Sequence, residues 1–141
     1  MAREPVLTPA EITAYLEKVF PQQSGVFVIE EIASMRSRVR MPIHDRHLRP
    51  GGTVSGPAMF TAADCGFWIA LLGMIGRQGM TVTSNMSINF LRRPPVADVI
   101  AESRILKLGR LLATGDVLLY SEGLAEPVAQ ASMTYAIPQP R

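Results

Sequence analysis

The feature that most limits the possible folds is a long apolar segment with a single charge. Between Gly56 and Gly76 the sequence is GPAMFTAADCGFWIALLGMIG, and Asp64 is its only charged residue. A helix that is apolar nearly all round must be buried nearly all round, and one curved sheet wrapped around it would provide that cover. The segment therefore predicts a central helix enclosed by a sheet.

Asp64 is the first candidate for a functional residue. An ionised carboxylate in apolar surroundings costs several kcal/mol unless a partner or a chemical task compensates. The structural alternative is that a single acid on a long helix faces a solvent-filled groove or hydrogen-bonds nearby backbone. The segment alone leaves both interpretations open.

Length and charge narrow the class of protein. The 141 residues are enough for one domain with a substantial core, so we expect a single domain over residues 1–141. Fourteen Lys and Arg against 12 Asp and Glu give a net charge of +2 without a concentrated basic stripe. We therefore expect no nucleic-acid partner.

The cysteine content and the N-terminus bear on location. The lone Cys65 excludes an internal disulfide, and the N-terminal MAREPVLTPAEI lacks the apolar run of a signal peptide. The apolar run after Asp64 is shorter than a membrane span of about 20 residues, which would have to include the Asp. We expect a cytoplasmic protein without a membrane partner.

The first half of the chain predicts one short helix and two strands before the central helix. Thr8, Pro9 and Glu11 have the pattern of a capping box with an early proline, which indicates a helix over about 8–20. Extended runs follow at 26–32 and 34–41, the second with a row of arginines expected to face solvent. A loop rich in Pro and Gly then covers residues 42–52.

The second half predicts four more strands. The central helix should run to about Arg77, with Gly79 ending it. In the strand expected from Thr81 to Leu91, alternation assigns the apolar even positions to one face and Thr83 to the polar face. Further strands are expected at about 97–108, 111–121 and 126–137, joined as antiparallel hairpins.

This element order resembles the hotdog-fold thioesterases, in particular the phenylacetic-acid-pathway (PaaI-like) type. The resemblance lies in three segments, GGTVSGPAMFTAAD, TVTSNMSINFLRRPP and KLGR. The family has His-Gly-Gly at the start of the central helix and an Asp nine residues after the His, and here Ser55-Gly56-Pro57 and Asp64 occupy those positions. The resemblance implies an α+β hotdog fold, with a six-stranded antiparallel sheet around a long central helix and a short additional N-terminal helix.

The resemblance also implies hydrolysis of an acyl-CoA thioester to a carboxylic acid and CoA by a homodimer or homotetramer. No metal or cofactor is implied, because coenzyme A enters as part of the substrate. By position, Asp64 would be the nucleophile or general base, the Gly56 amide the oxyanion donor, and Thr83 the hydroxyl that orients the attacking water. The residues expected to bind substrate are Ser55, Arg49, Asn89, Arg93 and Arg110.

The spacing of two of these groups predicts where the site is assembled. Gly56 and Asp64 are eight residues apart, which is about 12 Å along a helix. A nucleophile must come within about 3 Å of the carbonyl that it attacks. Two antiparallel helices from different chains can satisfy both conditions, so the sequence predicts an active site shared across a homodimer.

Departures from the family pattern leave other functions open. Ser55 replaces the motif His, and Arg49 stands where the family often has Asn, so a non-catalytic acyl-CoA binding or sensing module is the main alternative. A hotdog hydratase or dehydratase is a third, although it would need a catalytic His, and both His44 and His47 lie in the loop.

Two other groups of residues could carry chemistry but are better explained structurally. Cys65 is adjacent to Asp64 but has no His nearby in sequence, which favours a small core residue over a nucleophile. His44, Asp45 and His47 are part of a possible metal set, yet no further Cys or His accompanies them, which favours solvated loop residues.

Overall fold

The structure is a computed structural model that describes residues 3–139. Its first helix, α1, spans Pro9–Val19 and begins at the predicted capping box. The Thr8 hydroxyl accepts from the Glu11 amide at 3.2 Å, and the Glu11 carboxylate accepts from the Thr8 amide at 3.0 Å. These two bonds satisfy amides that have no partner inside the helix. The first helix is confirmed, with bounds one residue inside the predicted ones.

The central helix, α2, spans Gly56–Ile75, and most of its side chains are buried. The Ser55 hydroxyl caps its first turn by accepting from the Ala58 amide at 3.2 Å. The helix ends at Gly76, whose φ of 90° is readily adopted only by glycine. The predicted end near Arg77 and Gly79 was therefore slightly late.

By length and composition alone, the whole of α2, including Asp64, is long and apolar enough to cross a membrane. Within the protein, however, 67% of its most apolar window is buried. This burial is typical of the core helix of a globular fold.

Residues 3–139 contain one six-stranded antiparallel sheet and one small hairpin. The hairpin consists of β3 (Leu48–Arg49) and β4 (Thr53–Val54), and it lies within and just after the segment predicted as a loop. The sheet strands are β1 (Val28–Ala33), β2 (Arg36–Met41), β5 (Val82–Phe90), β6 (Val99–Leu108), β7 (Leu112–Ser121) and β8 (Ala129–Ala136). Their order across the sheet is β1-β2-β6-β7-β8-β5. This arrangement around α2 confirms the predicted α+β hotdog fold.

The sheet packs very closely on α2. A Cβ atom at Gly115 of β7 would lie 2.1 Å from the carbonyl oxygen of Arg104 and 2.6 Å from the ring of Phe67 on α2. On the helix side, a Cβ atom at Gly66 would lie 2.9 Å from the Ala101 side chain. Glycine is needed at both positions because any side chain would push the layers apart.

The arginine row of β2 lies on the outer face of the sheet, as predicted. Glu30 of β1 accepts hydrogen bonds from Arg40 at 2.7 Å and from Arg38 at 3.0 Å. Arg40, the larger cause, and Arg38 lower the pKa of the Glu30 carboxyl. The outer face of these strands therefore carries a network of ion pairs rather than an apolar surface.

The strand β5 is an edge of the sheet and contains a bulge. Its register with β8 shifts between Thr83 and Asn85, so that Ser84 is the extra residue. Thr83 is opposite Tyr135, and Met86 is opposite Met133, which places both β5 residues on the face toward α2. The simple alternation had assigned Thr83 to the polar face. That prediction was wrong because the bulge changes the phase of the strand.

Candidate active site

The carboxylate of Asp64 is held by two hydroxyl groups from the sheet. Its Oδ1 atom accepts from Thr83 Oγ1 at 2.7 Å and from the Tyr135 hydroxyl at 2.6 Å. The Tyr135 oxygen also lies 2.9 Å from the carbonyl oxygen of Asp64. A hydroxyl has one proton, and the charged oxygen is the stronger acceptor. Asp64 is thus fixed to the sheet through one carboxylate oxygen.

The other carboxylate oxygen of Asp64 remains available for chemistry. Within residues 3–139, no side chain or amide donates a hydrogen bond to Oδ2. Asp64 itself is half-buried, near the middle of α2. A carboxylate oriented through one oxygen, with its other oxygen free of hydrogen bonds, suits a nucleophile or a general base.

The local structure explains why Thr83 and Tyr135 meet at this point. The two residues are directly opposite each other on β5 and β8, and Tyr135 is only 3% exposed. Burial, the negative charge of Asp64 and their hydrogen bond raise the pKa of Tyr135, so its hydroxyl keeps its proton and remains a donor. The bulge at Ser84 then turns Thr83 inward to complete the pair.

Asp64 opens onto a cleft, here called the Asp64 cleft, with a volume of about 550 Å³. It is lined by Tyr15, Val19, Phe20, Asp64, Cys65, Trp68, residues 79–83 and Tyr135. Most of this lining is apolar or aromatic, with the carboxylate and a few hydroxyls at one side. A pocket of this kind suits a ligand with an apolar body and one polar reacting group.

The amide of Gly56 lies on a separate surface. Gly56 is the first residue of α2, where the amide groups have no intrahelical acceptor and the helix dipole is positive. It lines the Gly56 cleft, formed by residues 49–51 and 53–54, Gly56, Met59 and residues 90–94. Within residues 3–139, the Gly56 cleft and the Asp64 cleft have no lining residue in common.

A comparison with protein families decides the identity of the fold. A sequence model described as the thioesterase superfamily matches residues 51–128, more than half of the chain. The chain belongs to the thioesterase superfamily. The matched residues include both Gly56 and Asp64.

Solved structures agree with that assignment. A proposed thioesterase from Silicibacter sp. TM1040 is 46% identical, with a TM-score of 0.91 over 99% of this chain and 97% of that chain. A mutant of the phenylacetic acid degradation protein PaaI from Thermus thermophilus is 24% identical, with a TM-score of 0.71 over 84% of this chain and 99% of that chain.

A third structure contains a ligand. A Streptococcus mutans protein bound to acetyl-CoA is 23% identical, with a TM-score of 0.70 over 82% of this chain and 90% of that chain. At this identity, the likeness shows the common hotdog fold. A comparison with curated proteins gave no match.

The substrate-binding residues predicted from the sequence lie in different places. Arg49 and Arg93 line the Gly56 cleft, beside the free amide. Arg110 lines a separate depression, where its guanidinium donates to the Gln139 side chain at 3.0 Å. Asn89 is on the outer face of β5 and donates to Gln130 at 3.1 Å. The structure therefore brings two of these four residues together with a catalytic candidate.

Ser55 and Pro57 complete the start of α2 without removing the oxyanion donor. The Ser55 hydroxyl is occupied in capping the Ala58 amide. Pro57 is in the first turn, where its missing N–H would have had no intrahelical partner. Gly56 keeps its own amide, so the helix start retains one group that can stabilise an oxyanion.

Cys65 and the pair His44 and His47, the other candidates from the sequence, lack the features of a reactive site. Burial, with a contribution from Asp64, raises the pKa of Cys65 to about 12, which leaves the thiol protonated and a poor nucleophile. The His44 amide donates to Nδ1 of His47 at 2.9 Å. In the described part of the chain, no three metal-ligating residues cluster.

Tyr135 was not predicted as a site residue from the sequence. It lies in a strand in which apolar and polar residues alternate. This alternation predicts that the Tyr135 side chain points toward the core, but not what it contacts there. A tyrosine directed into a core needs a partner for its hydroxyl, and Asp64 is the acid on the element that the strand covers. Combining these two facts could have predicted the pair.

Proposed function

We propose that the protein is an acyl-CoA thioesterase in which Asp64 supplies the reacting carboxylate. The observation that carries this proposal is the asymmetric setting of Asp64, with one oxygen held by Thr83 and Tyr135 and the other free in a cleft. In a thioesterase-superfamily fold, this oxygen either attacks the thioester carbon or takes a proton from a water that attacks it. Direct attack breaks the C–S bond, expels coenzyme A as its thiolate and leaves an acyl anhydride on Asp64 that water then hydrolyses to the acid. In the other route, the activated water adds to the carbonyl carbon, and the same C–S bond breaks to give the acid and coenzyme A.

The oxyanion donor of this site comes from a second protomer. Gly56 and Asp64 are both on α2, about 12 Å apart along the axis, and they line different clefts. The negative charge that develops on the thioester oxygen needs a donor within about 3 Å. A two-fold axis that brings two α2 helices side by side in opposite directions joins the Asp64 cleft of one protomer to the Gly56 cleft of its partner.

The surface beside β5 is suited to such an assembly. The outer edge of β5 is unpaired in the single chain, and long exposed edges promote pairing with another strand. Large apolar side chains are exposed around it, with Phe60 of α2 at 42%, Val82 at 54% and Phe90 at 52%. Covering them by a second copy removes this surface from water and doubles the sheet.

The basic residues beside Gly56 suit the phosphates of coenzyme A. Arg49 and Arg93 are exposed at the rim of the Gly56 cleft, and within residues 3–139 neither takes part in an ion pair. Arginine binds phosphate with two parallel hydrogen bonds. The acetyl-CoA complex of the Streptococcus mutans protein supports a CoA ester as the ligand of this fold.

A thiol-release assay with short, long and aryl acyl-CoA esters tests the activity. We expect turnover of at least one ester and a loss of about 10²–10⁴-fold in kcat for Asp64→Asn. Asp116→Asn, which neutralises a carboxylate on the outer face of β7, should keep wild-type turnover. Tight acyl-CoA binding without thiol release would instead support the non-catalytic alternative.

A complementation experiment tests the shared site separately. Asp64→Asn and Gly56→Pro chains are made together with different tags, and the mixed dimers are purified. Proline is tolerated at the first helical position but has no N–H. Each mixed dimer has one intact site, so about half of the wild-type activity should return. Mixed dimers as inactive as the two parents would exclude a site formed across the dimer.

A further inference from the structure

The Asp64 cleft adjoins a second, basic surface. This surface, here called the Arg110 depression, has a volume of about 820 Å³ and is lined by Arg3, Tyr15 and residues 75, 77–80, 108–110 and 137–139. It has Tyr15, Gly79 and Met80 in common with the Asp64 cleft, so the two spaces meet at these residues. A ligand held at Asp64 can thus extend past Tyr15 into the Arg110 depression.

The Arg110 depression is positively charged. Within residues 3–139, the charged side chains that line it are Arg3, Arg77 and Arg110, and no acidic side chain accompanies them. The Arg110 guanidinium donates to the neutral side chain of Gln139 at 3.0 Å. The Arg77 guanidinium lies 3.6 Å from the Glu11 carboxylate, but these side chains are 54% and 46% exposed, so their ion pair is weak. The depression therefore favours an anionic group.

The path from Asp64 to this positive charge is long and apolar. Asp64, Trp68 and Ile75 lie on the same side of α2, because helix positions that are four and eleven residues apart return to one face. Trp68 lines the Asp64 cleft and Ile75 lines the Arg110 depression. The distance from Asp64 to Ile75 is about 16 Å along the axis. A group at Asp64 would therefore need a long apolar chain to reach the arginines.

Tyr15 adds a hydrogen-bond donor where the two spaces meet. Its half-buried hydroxyl accepts from the Gly79 amide at 2.8 Å, which fixes the position of the oxygen. A tyrosine hydroxyl also has one proton to donate, and within the described residues no acceptor takes it. The mouth of the Arg110 depression thus offers a neutral donor beside the charged ones.

We propose that the preferred substrates are long-chain acyl-CoA esters with a second carboxylate at the far end of the acyl group, and that Arg77 and Arg110 bind this carboxylate. The inference rests on the proposed thioesterase function, in which coenzyme A enters from the Gly56 cleft of the partner and the acyl group extends the other way. Guanidinium and carboxylate groups form charge-assisted hydrogen bonds, often two in parallel. An uncharged chain end would form none of these bonds.

The kinetic test compares hexadecanedioyl mono-CoA with hexadecanoyl-CoA, which has the same chain without the terminal carboxylate. We expect kcat/KM to be about tenfold higher for the dicarboxylic ester, because an exposed ion pair contributes up to about fivefold and two arginines are available. High salt should reduce this difference. Hexanedioyl mono-CoA and hexanoyl-CoA should react equally well, because a short chain does not span about 16 Å; an equal preference for the short dicarboxylic ester would overturn the inference.

Substitution of the arginines identifies the group that they bind. The double variant Arg77→Gln and Arg110→Gln should bring the ratio for the two long esters near one, through loss on the dicarboxylic ester alone. Arg36→Gln is the matched control, because it removes an exposed arginine of β2 that lines neither space, and it should preserve the ratio. An unchanged ratio in the double variant would overturn the inference. An equal loss on both long esters would also overturn it, since the arginines would then contact coenzyme A.

A binding test is independent of turnover. In calorimetry on the Asp64→Asn protein, hexadecanedioyl mono-CoA should bind about tenfold more tightly than hexadecanoyl-CoA, and adding Arg77→Gln and Arg110→Gln should remove the difference. If the wild type hydrolyses no ester but this difference is found, the thioesterase proposal fails and the carboxylate site in the Arg110 depression stands. Equal affinities in the Asp64→Asn protein would exclude that site.

Discussion

The hydrogen bond from Tyr135 to Asp64 gives the sharpest prediction about catalysis. Tyr135→Phe removes one hydroxyl and leaves a ring of nearly the same size in its buried site. The lost bond joins a buried donor to a carboxylate over 2.6 Å, and bonds to charged groups contribute about 1.5–3 kcal/mol. Since 1.36 kcal/mol is a factor of ten in rate, kcat should fall about 10- to 100-fold. The hydroxyl is occupied by Asp64, so KM should change by less than about twofold.

The assay is steady-state thiol release by the purified variant on the best ester found for the wild type. Tyr120→Phe is the matched control, because Tyr120 lies on the outer side of β7 and should tolerate the same substitution without loss of kcat. Thermal unfolding followed by circular dichroism checks that both variants fold. A folded Tyr135→Phe protein with kcat within about twofold of the wild type would refute the positioning role of this bond.

Thr83 extends the same experiment, because it donates to the same carboxylate oxygen as Tyr135. Thr83→Val removes that donor with little change in volume. Each remaining hydroxyl still orients Asp64 when the other is absent, so the double variant should lose more than the product of the two single effects. If the loss of kcat in the double variant equals the product of the two single losses, the two hydroxyls act independently of each other and do not share the task of orienting Asp64.

Three further predictions concern assembly and stability. Phe60→Asp places a charge on the proposed interface and should give inactive monomers in light scattering. Leu106→Asp is the control, because Leu106 lies on β6, three strands from β5, and this variant should remain dimeric. An active dimer of Phe60→Asp would argue against this interface. Gly115→Ala puts a Cβ atom 2.1 Å from a backbone oxygen of β6 and should lower the free energy of unfolding in urea by about 3 kcal/mol or more, while an unchanged midpoint would contradict such close packing. Arg40 lowers the pKa of Glu30 below the ordinary 4.5, so this ion pair stabilises the folded state above that pH and ceases to do so as the pH falls through the lowered pKa. Glu30→Gln should accordingly weaken the pH dependence of unfolding below pH 4.5, and identical pH profiles would be the contrary result.

Local signals in the sequence were enough for much of the fold. The capping box at Thr8 and Glu11 set the start of α1, because both partners are three residues apart and act within one turn. The apolar segment after Ser55, with Asp64 as its only charge, required a helix buried nearly all round, and the strand periods then left little choice but a sheet around it. Element ends were less certain, since Gly76 and Gly79 are both plausible helix stops and only the packing of the chain selects one.

The details of the site depended on non-local geometry. The Ser84 bulge is a property of two paired strands, and no residue of β5 alone signals that Thr83 turns toward Asp64. Tyr135 is 71 residues from Asp64 in sequence, so their bond follows from the register of β8 rather than from any motif.

The strand β5 is both an edge of the sheet and the carrier of Thr83, so in the proposed function it would link assembly to catalysis. In the proposed assembly, a solitary protomer has a carboxylate without an oxyanion donor in reach, so freshly synthesised chains would leave cellular thioesters intact until they pair. Specific activity should then decline on dilution below the dimer dissociation constant. Protein abundance would thus set not only the number of active sites but also the fraction of chains that are competent.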